Sequence, residues 1–344
     1  MENIKIGEFE IAPGESRQIE LPVSKLYTNA PVSLPVHIFR SKKEGPVVFV
    51  SAAVHGDELN GIEIIRRLIN QKNFKVIRGT LIVVPMVNVY GVVTQSRYMP
   101  DRRDLNRSFP GSPKGSLAGR VAHTFMNEII KHCDYGIDLH TGAIHRSNLP
   151  QIRADLSDPE VRELAEEFGV TVVLNSEVLE GSLRESAFSA GTKVLLYEAG
   201  EALRFDELSI RAGLKGILNV LQHLKMMRKQ TLKKRKVEPF IANNSSWTRA
   251  NASGIVSNLA ALGDHVAKDQ ILAKIHGPFG DILGEVKATR GGIIIGQQNI
   301  PLAQEGEAMF HIASFEEDHE DIAEQIETAN ELLLPEDEGL LRGE

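Results

Sequence analysis

From Pro46 onward, short runs of consecutive apolar residues alternate with stretches of helical periodicity, and this alternation restricts the chain to an α/β architecture. Pro46–Ala53 (PVVFVSAA), Thr80–Pro85 (TLIVVP), Tyr135–Leu139 (YGIDL), Val170–Leu174 (VTVVL) and Lys193–Tyr197 (KVLLY) have the unbroken apolar character of strands buried on both faces. Between them, Ile62, Ile65, Leu68 and Ile69 form one helical stripe, Leu117, Val121, Phe125 and Ile129 a second, and Ile210, Leu214, Ile217, Leu221 and Leu224 a third. A further helix opens at Ser157-Asp158-Pro159-Glu160, a capping residue followed by a first-turn proline. The expected fold class is a mixed, mostly parallel sheet covered by helices over residues 46–228.

The flanks have other textures. Residues 1–45 interleave apolar and polar positions and are broken by Pro13, Gly14, Pro22 and Pro35, so short strands packed on the α/β domain are expected there. Residues 229–246 read as a linker that begins in the basic run RKQTLKKRK. From 247 to 314, apolar pairs separated by glycines predict a smaller all-β barrel or sandwich. Residues 315–344 form an acidic tail, in which Ile322, Ile326 and Leu332–Leu334 carry the makings of a short helix.

Composition narrows the partners. A formal charge of −7 argues against nucleic acid and anionic membrane surfaces, and points to a small molecule. Self-association is left open. The single cysteine, Cys133, rules out intramolecular disulfides and cysteine zinc clusters, and it reads as a packing thiol. The first residues, MENIKIGEFEIAPGES, carry charges where a signal peptide needs an apolar run, and no stretch approaches the roughly 18 apolar residues of a spanning helix. A cytoplasmic protein is expected.

The chemistry begins at strand ends. His55-Gly56-Asp57-Glu58 follows the first apolar run, so a histidine and a glutamate stand where a strand gives way to a helix. His140, in Asp138-Leu139-His140-Thr141-Gly142, follows another run and reaches the same sheet edge. Two histidines and a carboxylate are the three-ligand set that leaves a zinc ion one open position. Water activated by such an ion needs a base, and Glu198, in Tyr197-Glu198-Ala199-Gly200, ends a third strand at that edge. The polar segment SRYMPDRRDLNRSFPG (96–111) carries four arginines suited to an oxyanion or a substrate carboxylate. His145, a few residues past His140, stands on the rim of this edge.

His55-Gly56-Asp57-Glu58, Asp104-Leu105-Asn106-Arg107-Ser108-Phe109-Pro110-Gly111, Asp138-Leu139-His140-Thr141-Gly142 and Glu198-Ala199-Gly200, in that order, resemble the succinylglutamate desuccinylase/aspartoacylase family, relatives of the zinc carboxypeptidases. The resemblance covers roughly residues 46–228. It implies one zinc ion on His55, Glu58 and His140, Glu198 as general base and acid, Asn106 and Arg107 as anchors for a substrate carboxylate, and Asp104 as a support behind His55. It also implies that Arg97 faces the oxyanion, with Arg102 and Arg103 as alternatives, and that Arg184 is a further carboxylate-binding arginine. Aspartoacylase draws a tyrosine from its C-terminal domain, whereas no tyrosine follows Tyr197 here. The β region resembles biotinyl/lipoyl barrels, but Ile275–Asp281 lacks their modifiable lysine, so it is expected to cap the site.

The function expected from these residues is zinc-dependent hydrolysis of a linear amide in an N-acyl amino acid or N-acyl diamino acid. A metallocarboxypeptidase and a non-catalytic metal-dependent metabolite-binding protein are the alternatives.

Overall fold

A computed structural model describes residues 2–228, 239–316 and 319–334. At the start, β1 (Ile4–Ile6) and β2 (Phe9–Ile11) form a small antiparallel pair, followed by the long antiparallel strands β3 (Ser16–Lys25) and β4 (Pro31–Arg40). Ile19, Leu21 and Val23 on β3 and Leu34, Val36 and Ile38 on β4 are buried at alternate positions, the period of a strand with one covered face.

The central region runs β5 (Val47–Ala52), α1 (Asn60–Ile69), β6 (Thr80–Val84), α2 (Val89–Thr94), α3 (Leu117–Glu128), β7 (Tyr135–Gly142), β8 (Arg146–Ala154), α4 (Pro159–Phe168), β9 (Val172–Asn175), α5 (Leu183–Ser189), β10 (Lys193–Glu201) and α6 (Glu207–His223). Strands β10, β7, β5 and β6 lie side by side and parallel, with β8 antiparallel beyond β10 and β4 antiparallel beyond β6. The expected mixed, mostly parallel α/β core is therefore present. One face packs Ile64, Leu68, Phe168, Ile217 and Leu221 of α1, α4 and α6; the other packs Val121 and Phe125 of α3 against Phe49 and Ile82. Full burial of a side chain such as Leu221 contributes roughly 1.5–3 kcal/mol, well above the tenths that separate good helix formers, so the apolar stripe anchors α6. Asp158 caps α4 by accepting from the amides of Glu160 and Val161, with Pro159 in the first turn, and Gly169 ends the helix at φ +84°.

The C-terminal part comprises β11 (Phe240–Ala242), β12 (Asn244–Arg249), β13 (Gly254–Asn258), β14 (His265–Val266), β15 (Ile271–His276), β16 (Ile282–Lys287), β17 (Gly292–Gln298), β18 (Leu302–Ala303), β19 (Ala308–Ser314) and α7 (His319–Leu333). It is all-β apart from its last helix, with a four-stranded sheet in the order β16-β15-β13-β18. The other strands extend the main sheet: β17 pairs antiparallel with β8, and β19 and β12 follow it. Within the segment read as a linker, Phe240–Ala242 pairs in parallel with β9 and buries Ala242, because a three-residue apolar run suffices to extend a sheet. Residues 229–236 of the basic run lie outside the described residues, as do 335–344 of the acidic tail. Residues 319–333 of that tail form α7, with Ile322 and Ile326, four apart, buried against Leu149 of β8 and Ile293 of β17. Among the described residues no helix is long and apolar enough to cross a membrane.

Candidate metal centre

The turn between β5 and α1 carries two of the expected ligands. After Ala53, which adopts a left-handed φ of +53°, residues 54–59 bring His55 and Glu58 over the end of the sheet. Gly56 is required there by crowding, since a Cβ would lie 2.0 Å from the carbonyl carbon of Gly91. Gly142 serves the same end on the other side, where a Cβ would stand 2.2 Å from the Arg146 carbonyl oxygen. Gly56→Ala must push α2 away or shift the His55 turn, and is expected to cost about 1–3 kcal/mol of stability. Urea unfolding measures that loss, and equilibrium dialysis of the same variant is expected to show weaker metal binding.

His55, Glu58 and His140 come together in the buried space this turn creates. Their ligand atoms all lie within 4.8 Å of one another, and each side chain is at least 95% buried. Nδ1 of His55 is 2.7 Å from Glu58 Oε1, and Nδ1 of His140 is 2.7 Å from Glu58 Oε2. Nε2 of each histidine turns outward to a carboxylate: His55 to Asp104 Oδ1 at 3.2 Å, His140 to Asp138 Oδ2 at 2.7 Å. Ser51 Oγ in turn donates to Asp138 Oδ1 at 2.7 Å. Burial opposes charge on Glu58, yet His55 and His140 outweigh it and hold its carboxyl well below the usual carboxylate range. Burial likewise opposes ionisation of Asp104, and His55 and Arg97 overcome it.

The donor chemistry fits a metal ion. Two imidazole nitrogens and an ionised carboxylate converge, and the outer nitrogen of each imidazole is fixed by its own carboxylate, the arrangement that orients metal-binding histidines. Asp138→Asn is expected to weaken metal binding about 10- to 100-fold, read by competition with a chromophoric chelator.

The remaining predicted residues fall into two groups around this centre. Arg97 belongs to the first: its guanidinium is 3.0 Å from Asp104 Oδ2 and 3.4 Å from Glu58 Oε1. Asn88, which caps α2, donates to the Arg97 carbonyl and so helps to fix that segment. Arg102 and Arg103 are exposed, with Arg103 3.9 Å from Asp101. Asn106 is held twice, its backbone N–H donating to Asp104 Oδ1 and its side-chain Oδ1 accepting from the Leu183 backbone N–H. Arg107 is exposed and donates to the Asn106 carbonyl at 2.6 Å.

Glu198 belongs to the second group. In the parallel pairing of β10 with β7 it stands opposite His140, so the two side chains share a face of the sheet. Asn148 Nδ2 donates to Glu198 Oε2 at 2.7 Å, and Arg153 Nη2 is 3.3 Å from the same oxygen. Arg184, in the first turn of α5, donates to Ser176 Oγ and to the Glu177 carbonyl. Burial first, then the neighbouring Arg153, lower its pKa to about 10. His145 is half-exposed at a φ of +67°, 3.9 Å from Glu201, and is not part of the ligand group. Cys133 is buried and donates to the Ile129 carbonyl, and burial pushes its thiol up.

Sequence reasoning passed over Asp138 as a partner of His140, and Asn148 and Arg153 altogether. Asp138 had a signal, because residues two apart on a strand share a face. Asn148 and Arg153 lie on β8, whose sequence RSNLPQIRA has neither the apolar run of a buried strand nor freedom from proline. Pro150 is accommodated where the pairing with β10 slips, between Gln151 opposite Glu198 and Asn148 opposite Gly200.

Known proteins share this arrangement of chain. Residues 44–224 match the succinylglutamate desuccinylase/aspartoacylase catalytic domain. The chain is 26% identical over 300 residues to N-alpha-acetyl-L-2,4-diaminobutyric acid deacetylase of Halomonas elongata, covering 83% of this chain and 87% of that protein. Among solved structures, a succinylglutamate desuccinylase/aspartoacylase from Rhodobacter sphaeroides superposes with a TM-score of 0.75 at 24% identity, over 88% of this chain and 95% of the other. The product-bound ectoine utilization protein EutE (DoeB) of Ruegeria pomeroyi gives 0.77 at 23% identity, over 87% and 94%. These likenesses show a common fold, and the match over residues 44–224 shows that the chain belongs to the succinylglutamate desuccinylase/aspartoacylase family.

Proposed function

We propose that this protein is a zinc-dependent hydrolase that removes the acyl group from a small N-acyl amino acid or N-acyl diamino acid. The observation that carries the reading is the buried convergence of His55, Glu58 and His140, with Glu198 beside His140 on the neighbouring strand. Family membership and the likeness to a diaminobutyric acid deacetylase support a linear amide as the bond cleaved. Two histidines and a glutamate as donors favour zinc.

His55, Glu58 and His140 would hold the ion, which would supply Lewis acidity for the scissile carbonyl and for water. Glu198 takes a proton from the attacking water and later delivers it to the leaving nitrogen, so the C–N bond breaks to a carboxylate and an amine. Arg97, half-buried against Glu58 and Asp104, steadies negative charge on the acyl oxygen. Asn106, whose Oδ1 is committed to the Leu183 amide, keeps Nδ2 for the substrate carboxylate, and Arg107 adds a guanidinium. Arg184 serves as a further anchor from the Glu198 side.

The test is to incubate the zinc-loaded protein with N-acetyl and N-succinyl amino acids, diamino acids included, and with short peptides, and to follow released primary amine. Turnover of at least one N-acyl amino acid is expected. Cleavage of peptides alone would replace this reading with a carboxypeptidase, and binding without turnover would replace it with a metabolite-binding protein.

A further inference from the structure

We infer that Asn148 and Arg153 are positioning residues that clamp Glu198, and that the C-terminal β region builds this clamp from behind; the inference rests on the deacylase reading of Glu198. Both side chains meet the same carboxylate oxygen, Oε2, at 2.7 and 3.3 Å. Oε1 is thereby the oxygen left to exchange a proton with water. A carboxylate that shuttles a proton must sit in one place through both transfers, and a glutamate has three side-chain torsions to restrain. A hydrogen bond from Asn148 and an ion pair with Arg153 on one oxygen supply that restraint.

Both clamp residues lean on strands far away in sequence. Asn148 pairs with Gly200 of β10 on one side and with Gly296 of β17 on the other. A Cβ at Gly296 would stand 2.9 Å from Asn148 Oδ1 and 3.1 Å from the Cβ of His311, so the missing side chain leaves room for the amide to turn toward Glu198. Arg153 has its neighbour in His311 of β19, a buried imidazole whose pKa is pushed down to about 3, by burial first and then by the Arg153 charge. A neutral ring in that place adds no second positive charge to compete for Glu198. His311 is in turn stacked on Trp247 of β12, 4.8 Å between ring centroids and 10° between planes. The Nε of Arg153 and Nδ1 of His311 are both buried without a hydrogen-bond partner, so the guanidinium's polar contact is directed through Nη2 to Glu198.

The experiment uses full-length zinc-loaded wild type, Asn148→Ala, Arg153→Ala, Arg153→Lys and Gly296→Ala, each checked for unchanged zinc content. If the wild type deacylates a member of the panel, Asn148→Ala and Arg153→Ala are expected to lose about 10- to 100-fold in kcat with KM within about threefold. Added guanidinium is expected to restore part of the Arg153→Ala loss, and Arg153→Lys to fall between. A raised KM with kcat intact would make Arg153 a substrate anchor and overturn the inference, as would unchanged kinetics. If the wild type turns over nothing, the deacylase reading fails on its own, and crystal structures of the variants judge the clamp. Glu198 spread over several rotamers in Asn148→Ala supports the clamp; Glu198 unmoved there and in Arg153→Ala overturns it.

Discussion

Glu198→Gln is expected to keep its zinc and to lose about 10²- to 10⁴-fold in kcat, the range that a positioned general base contributes. Glutamine preserves the size of the side chain and can still accept from Asn148, so the local packing and the Asn148 half of the clamp survive, while the ion pair with Arg153 is lost. Glu198 makes no described contact with His55, Glu58 or His140, so the proposed ligand set is untouched. What disappears is the capacity to take a proton from water and return it to the amine. Steady-state kinetics with metal analysis of the same sample measures both halves of the expectation. A kcat within tenfold of wild type would remove Glu198 from the proton path.

His140→Ala carries the second large effect, and it acts on two properties at once. A zinc ion held as proposed would lose one of its three ligands, so zinc affinity is expected to fall by more than the roughly 100-fold that an outer partner alone commands. At the same time Glu58 and Asp138, each 1% exposed, lose their shared imidazole. Burying carboxylates stripped of a partner costs about 3–5 kcal/mol. The metal-free variant is therefore expected to melt below the metal-free wild type. Zinc binding to the folded state alone raises Tm by mass action, so wild type is expected to gain stability on zinc addition and the variant to gain little. Equal zinc-induced shifts in the two proteins would exclude His140 as a ligand.

How legible these residues are in the sequence depends on which face of the sheet each one serves. Strands β5, β6, β7 and β10 announce themselves because both faces are covered by helices, leaving Val48–Val50, Leu81–Val84, Ile137, Leu139 and Leu195 as apolar runs. Asp158-Pro159 marks the start of α4 through cap chemistry that needs no tertiary partner. Strand β8 is silent for the opposite reason. Asn148, Gln151 and Arg153 face Glu198 and its surroundings, and polar residues there replace the hydrophobic alternation that would reveal a strand. The convergence of His55, Glu58 and His140 is legible because each stands at or just past a readable strand, whereas Asn148 and Arg153 need the pairing of β8 with β10 and β17 before their positions mean anything.

That same pairing makes the C-terminal strands inseparable from the rest of the molecule. A protein cut near residue 228 would open the Arg146–Asn148 end of β8, where β17 now pairs, and the outer edge of β9, where β11 now pairs, while β9 would still cover Gln151–Ala154. An unpaired sheet margin of this kind recruits other chains, so the shortened protein is expected to aggregate rather than survive as a smaller enzyme. By the same token the C-terminal strands cannot be exchanged as a cassette between relatives unless the replacement reproduces the seam along Arg146, Ser147 and Asn148.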